Sequence, residues 1–211
     1  MGRGGRHLLR NPAAPISGRP HRRPPRPGRV RPLPDPGRAL LARFRPSAEH
    51  RGQQGARPGD VSMFARHAAG IVDVELALHA SLLSELGIAN SDAVPAAPTT
   101  RAYTSYLLAT AYAGTFVDGF AAVLPCYWIY AEVGAELIKR GSPDPRYQRW
   151  IDSYAGEEYQ SIVAEVLALA DDVGRTLSPS DEARARAHFV ATARYEWMFW
   201  DAAWRREAWP V

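Results

Sequence analysis

From about Asp60 to the C-terminus, apolar residues recur at three-, four- and seven-residue spacings between Gly and Pro punctuation, and no alternating segment or hairpin dipeptide competes. Such a pattern buries its apolar side only by packing helix on helix, so the body is expected to be all-α, with about six helices. The first candidate runs from about Asp60 to Leu86, with Phe64, Ile71, Val74, Leu78 and Leu82 on its apolar face and Gly87 just past its end. Pro95–Thr100 reads as a loop. Thr99 or Thr100 then caps a helix to about Gly119, and another follows from about Phe120 to Arg140, closed by Gly141-Ser142-Pro143. Arg146–Tyr154 and Glu157–Asp172 read as two more. Ser178-Pro179-Ser180-Asp181 is a strong start signal for a last helix to about Trp209: a capping hydroxyl, a proline in the first turn and an acid at the third position.

Residues 1–58 behave differently. They hold 11 of the 18 prolines, a single aromatic residue, Phe44, and no helical or strand period. A chain of that composition does not bury enough apolar surface to offset its ordering entropy. Residues 1–60 carry 14 Arg, no Lys and three acids, a balance of +11, whereas residues 61–211 carry 12 bases and 19 acids, a balance of −7. The net +4 therefore belongs to the arm. The body is mildly acidic, which argues against nucleic acid or an anionic membrane as its partner. Two readings of the arm stand side by side. One is a disordered basic tail, which would bind nucleic acid only through phosphates; the other is a GC-rich gene read out of frame upstream of about Asp60, since Arg outnumbers Lys 25 to one along the chain. The division expected is thus an arm over 1–58 and a helical domain over 59–211.

Cys126 is the only cysteine, so no intrachain disulfide forms and a cytoplasmic location is the default expectation. The start of the chain lacks the apolar run of about 7–15 residues that a secretory signal needs, and no window reads as about 18 continuous apolar residues. A soluble protein is expected.

Two units carry candidate chemistry. In Leu124-Pro125-Cys126-Tyr127-Trp128-Ile129-Tyr130, a thiol and a phenol stand at i and i+4 on one helix face. A lone thiol is either an inert buried hydrophobe or, beside positive potential or a proton acceptor, a nucleophile. In Tyr195-Glu196-Trp197-Met198-Phe199-Trp200, a carboxyl stands among large rings. There it either lies on a solvated face beside Arg194 or is buried, where it needs a partner and can serve proton transfer. His67, His79 and His188 have no metal-ligand spacing and read as structural or surface residues.

Taken in order and spacing, four separated motifs resemble the TenA/thiaminase II family: Ala102-Tyr103-Thr104-Ser105-Tyr106-Leu107, Leu124–Tyr130, Trp150-Ile151-Asp152-Ser153-Tyr154 and Glu196-Trp197-Met198-Phe199-Trp200. Phe64-Ala65-Arg66-His67 and Val74-Glu75-Leu76-Ala77-Leu78-His79 extend the likeness, which covers about residues 60–210. The resemblance implies a haem-oxygenase-like helical bundle, a homotetramer, and hydrolysis of 4-amino-5-aminomethyl-2-methylpyrimidine to the hydroxymethyl pyrimidine and ammonia, with thiamin as a poorer substrate. It implies Cys126 as the nucleophile that adds to the pyrimidine ring and Glu196 as the acid and base. Tyr103, Tyr130 and Tyr154 are then the site's phenols and Phe199 its stacking wall, with no metal or organic cofactor required. One departure is plain. The family's N-terminal Gln-Asp-x-x-Tyr segment, whose acid anchors the aminopyrimidine, has no match in residues 1–59, so the bundle reads as N-terminally incomplete. A catalytically impaired relative that binds a pyrimidine or a protein is the alternative. A haem oxygenase is disfavoured, because its iron-ligating His belongs in that same unmatched region.

Overall fold

The structure is a computed structural model and describes residues 58–60, 62–67, 69–70, 85 and 95–211. The basic arm, apart from Pro58, lies outside the described residues, as do the Val74–His79 motif and the rest of the first expected helix. Residues 58–60, 62–67 and 69–70 are helical, and so is Glu85. Five complete helices follow: α1 (Pro98–Ala113), α2 (Phe116–Leu137), α3 (Pro145–Ala155), α4 (Glu157–Gly174) and α5 (Pro179–Arg205). No strand occurs among the described residues.

Helix α2 is the centre of the bundle and packs against all four others, most extensively against α5. Asp118 is joined to Arg184 at 2.8 Å near the start of both helices, and the rings of Tyr130 and Trp200 meet at 5.6 Å farther along. Both contacts ascend together, with Trp128 against Phe189 at 6.1 Å between them, so α2 and α5 run parallel. Around this pair the core closes with Met63 and Phe64 from the N-terminal stretch, Tyr103 and Leu107 from α1, and Val163, Val166 and Leu169 from α4. Phe64 sets its ring edge-on to Phe120 at 5.7 Å. Against the expectation of no such segment, α2 is long and apolar enough by length and hydropathy to suit a membrane span; half of its apolar window is buried, and it supplies much of the core.

The helix boundaries show which local signals dominate. Ser178 caps α5 as its sequence predicts, accepting the Asp181 amide at 3.2 Å, and Gly141 closes the turn after α2 with a φ of 62°. The break between α1 and α2, expected at Gly119, falls at Gly114-Thr115. Thr115 and Asp118 form a reciprocal capping box, the Thr115 amide donating to Asp118 Oδ2 at 2.7 Å and the Asp118 amide to Thr115 Oγ1 at 3.3 Å. Gly119 is instead buried inside α2. A side chain at Gly114 would bring a Cβ within 2.7 Å of Asp118 Cβ, so glycine is what permits so short a connection.

The start of α1 also departs from expectation. Helix begins at Pro98, within the expected loop, and neither Thr99 nor Thr100 is the N-cap. Ala97 holds that position without a side-chain bond, and a carboxylate from the other end of the chain serves in its place. Thr99 donates its amide to Glu207 Oε2 at 2.8 Å and its hydroxyl to Glu207 Oε1 at 3.0 Å. Glu207 reaches this point because α5 stops at Arg205, short of Trp209. Arg206 is left-handed, with φ 55° and ψ 51°, and the Arg206 and Glu207 amides bond back to Ala203 and Ala202 in a Schellman turn. The reversal aims Glu207 at the positive end of α1.

Candidate active site

Helix α5 presents Glu196, Phe199 and Trp200 on one face, at i, i+3 and i+4. Glu196 is only 2% exposed, so the reading that placed it on a solvated face beside Arg194 is excluded. Its Oε1 accepts a hydrogen bond from the hydroxyl of Tyr103, itself 1% exposed, at 2.6 Å. This is a short phenol–carboxyl contact away from bulk water, where electrostatic interactions are strong.

Around the next turn of α5 the site is aromatic. Tyr130 lies 4.9 Å from the ring of Tyr154 and 5.6 Å from Trp200; Trp150 lies 4.8 Å from Tyr154 and 5.8 Å from Trp200; Phe199 sits 6.4 Å from Trp200. Tyr154 is held from several sides. Gly134, one turn past Tyr130, lets α3 approach so closely that a Cβ there would stand 2.8 Å from the Tyr154 carbonyl carbon. Gln160 donates to the Tyr154 carbonyl at 3.0 Å, and the ring of Tyr159 meets that of Tyr154 edge-on at 5.0 Å.

The structure therefore brings Tyr103 onto Glu196, and Tyr130 onto Tyr154, by direct contact. Cys126 is placed by register. It is partly exposed and lies one turn before Tyr130 on α2, as Glu196 lies one turn before Trp200 on α5. Pro125, immediately before the thiol, lacks the amide that would bond to the Ala121 carbonyl, a local interruption of the α2 ladder at this level.

Several participants were not singled out by sequence. Tyr195 stacks on Tyr103 with ring centroids 5.4 Å apart and planes 8° apart, and Tyr106 packs against Tyr195 at 5.6 Å. His188 accepts from or donates to the Tyr106 hydroxyl through Nδ1 at 2.9 Å, and its Nε2 stands 3.9 Å from Asp118. Burial, and then the neighbouring Tyr195 phenol, push the Tyr106 phenol above its usual range. Burial acts in the same direction on Asp118, but the Thr115 amide and the Arg184 guanidinium outweigh it and hold that carboxyl below the usual range. A periodicity argument assigns all these rings to core, which is why only a structure distinguishes them.

His67 is buried, with Nε2 at 3.3 Å from Glu165 and Nδ1 at 3.5 Å from the Tyr127 hydroxyl, a structural position as its sequence setting suggests. Among the described residues no group of three His, Cys, Asp or Glu side chains is arranged to hold a metal ion. His79 lies outside them.

The comparisons with known proteins agree with this architecture. Residues 59–206 match the TENA/THI-4/PQQC family. An aminopyrimidine aminohydrolase of Bacillus subtilis is 35% identical over 147 residues, covering 69% of this chain and 62% of that protein. One from Halalkalibacterium halodurans is 36% identical over 153 residues, covering 71% of this chain and 68% of its own length. This chain thus spans a little under two thirds of the Bacillus subtilis protein. Among solved structures, a TenA homologue from Pyrococcus horikoshii superposes with a TM-score of 0.67 at 29% identity, over 80% of this chain and 78% of that one. Helix order, bundle architecture and the four motifs lead to one assignment: the chain belongs to the TENA/THI-4/PQQC family and has its haem-oxygenase-like helical fold.

Proposed function

We propose that residues 59–211 form an aminopyrimidine aminohydrolase of thiamin salvage, which converts 4-amino-5-aminomethyl-2-methylpyrimidine and water to the 5-hydroxymethyl pyrimidine and ammonia, with a thiaminase II side activity. The observation that carries this reading is the buried 2.6 Å bond from Tyr103 to Glu196. Support also comes from the names of the two bacterial relatives at 35 and 36% identity.

In this reading the Cys126 thiolate adds to the electron-poor pyrimidine ring, the C–N bond of the 5-aminomethyl group breaks, water adds at the carbon so exposed, and the C–S bond then breaks to return the thiolate. Glu196 gives a proton to the departing ammonia and takes one from the water that replaces it, so the enzyme ends as it began. Tyr103 holds the carboxyl in one orientation, and Tyr130, Tyr154 and Phe199 offer rings and neutral donors to a flat heteroaromatic substrate. No metal or organic cofactor enters these steps. The same reading includes a cytoplasmic homotetramer, supported by the lone cysteine and by the exposure of Trp197, Met198 and Trp204 along α5, an apolar strip of the kind that subunits cover.

The test is ammonia release from the aminomethyl pyrimidine by the purified chain, with Cys126→Ala and Glu196→Gln alongside. Turnover that depends on both residues is expected. Tight pyrimidine binding without turnover in the wild type would replace the enzyme reading with that of an impaired, ligand-binding relative.

A further inference from the structure

Beyond the residues that face substrate, the geometry points to Tyr195 as a positioning residue for the carboxyl of Glu196, acting through the ring of Tyr103. This inference rests on the reading of Glu196 as the group that moves the proton.

A short hydrogen bond demands a fixed orientation of its donor. Tyr103 delivers its hydroxyl to Glu196 Oε1 at 2.6 Å, and a small rotation of the phenol ring would lengthen that bond. Such rotation is blocked on one flank by the Tyr195 ring, parallel to within 8° and centred 5.4 Å away. Tyr195 and Glu196 are adjacent on α5. One step of that helix therefore supplies both the wall against the face of Tyr103 and the acceptor at its tip, and the phenol is gripped between them.

Tyr195 is in turn backed from α1. Tyr106, one turn beyond Tyr103, meets the Tyr195 ring at 5.6 Å with planes 47° apart. The Tyr106 hydroxyl is fixed at 2.9 Å from His188 Nδ1, which returns the chain of contacts to α5 two turns before Tyr195. His188 stands 3.9 Å from Asp118, whose other bonds, to Thr115 and Arg184, lock the start of α2. Side chains of α1 and α5 thus alternate from Glu196 to Asp118. The purpose of a partly exposed tyrosine in this series is to keep the Tyr103 ring at one angle, which side-chain precision at a reacting group requires.

The experiment uses the full chain carrying Tyr195→Leu, Tyr195→Phe, Tyr103→Phe and the Tyr103→Phe/Tyr195→Leu pair. Tyr195→Leu is expected to lower kcat on the order of tenfold with KM unchanged, Tyr195→Phe to restore most of it, and Tyr195→Leu to cost nothing further once the Tyr103 hydroxyl is gone. Fully additive losses, or a failure of phenylalanine to restore kcat, overturn the proposal. A second readout needs no turnover. The phenolic proton of Tyr103 should give a downfield proton resonance, absent in Tyr103→Phe and lost to exchange in Tyr195→Leu. Its persistence unshifted in Tyr195→Leu overturns the proposal even if the wild type proves inactive, an outcome that would count against the proposed function alone. If the leucine variant does not fold, Tyr195→Met, which fills the volume without a flat ring, takes its place under the same criteria.

Discussion

Two buried phenols in this bundle meet titratable partners, and the two meetings differ in kind. Tyr103 donates to Glu196 at 2.6 Å, its ring stacked on one side. Tyr127 lies 3.5 Å from His67, a long contact, and His67 turns its other nitrogen to the exposed Glu165. The first pair is over-determined by its neighbours, the stacked ring of Tyr195 above all. The second fastens the N-terminal stretch to α2 and α4 and has a salt bridge from Arg66 to Glu165 beside it, at 2.9 Å. A buried phenol with an ionisable partner is therefore no sign of chemistry by itself; the two pairs differ in the length of the bond and in the groups around it.

The largest effect that would break this contrast is on turnover. Glu196→Gln is expected to lower kcat by about 10²–10⁴-fold while leaving the fold intact, because glutamine keeps the shape and an acceptor for Tyr103 but carries no proton to exchange. His67→Gln should leave kcat within about threefold, as suits a residue that acts on packing alone. Steady-state assays of both variants decide it, and equal losses would erase the distinction.

Next in size is Gly134→Ala. A Cβ at this position stands 2.8 Å from the Tyr154 carbonyl carbon and 2.9 Å from the Ala155 amide nitrogen, both backbone atoms, so α3 must move outward. Overpacking of this kind costs about 1–3 kcal/mol, and Tyr154 should leave Tyr130 as it happens. Chemical denaturation would show the lost stability and a raised KM the displaced phenol. Glu207→Ala removes the carboxylate that caps α1 and should cost about 1 kcal/mol by the same denaturation measurement.

How much of this was legible beforehand follows from the range of each interaction. Ser178, Gly141 and the periodicities of α3, α4 and α5 are local signals, and the helices they predict are present within a residue or two, apart from the C-terminal end of α5. The start of α1 was not legible, because its capping group is Glu207, which is 108 positions away from Thr99. The α1–α2 break was misplaced because Gly114 and Gly119 look alike in sequence, and only the capping box of Thr115 and Asp118 decides between them. In the site, motif likeness singled out Tyr103, Cys126, Tyr130, Tyr154, Glu196 and Phe199. It gave no role to Tyr195 or to Tyr106, though Tyr106 lies within a matched motif, because their meaning comes from ring angles that no spacing encodes.

The His67 fastening also has its own pH signature. Burial pulls His67 below its ordinary value of 6.5, and the Glu165 carboxylate only partly opposes this, with Arg66 adding a small further pull downward. The unfolded chain therefore takes up a proton near pH 6.5 that the folded chain still refuses, so the unfolded state binds more protons in that interval. Stability from this residue is complete above about pH 6.5 and is lost as pH falls from there toward the folded value. The wild-type Tm should drop more between pH 7.5 and 5.5 than that of His67→Gln, which has no proton to gain. Parallel Tm curves for the two proteins would mean that the ring is not desolvated as placed.

The smallest effect tests whether every buried polar atom near the working pair matters. Thr100 lies one turn before Tyr103 on α1 and is 2% exposed, and its hydroxyl oxygen has no hydrogen-bond partner among the described residues. A buried hydroxyl in that state already carries its desolvation cost, so exchanging it for a methyl group of similar volume removes a penalty rather than a bond. Thr100→Val should thus change stability by no more than about 1 kcal/mol, in the stabilising direction, and leave kcat as it was. A clear loss of kcat with an unchanged Tm would instead place this hydroxyl among the groups that meet substrate, and would extend the working region one turn along α1, beyond the Tyr103–Glu196 pair.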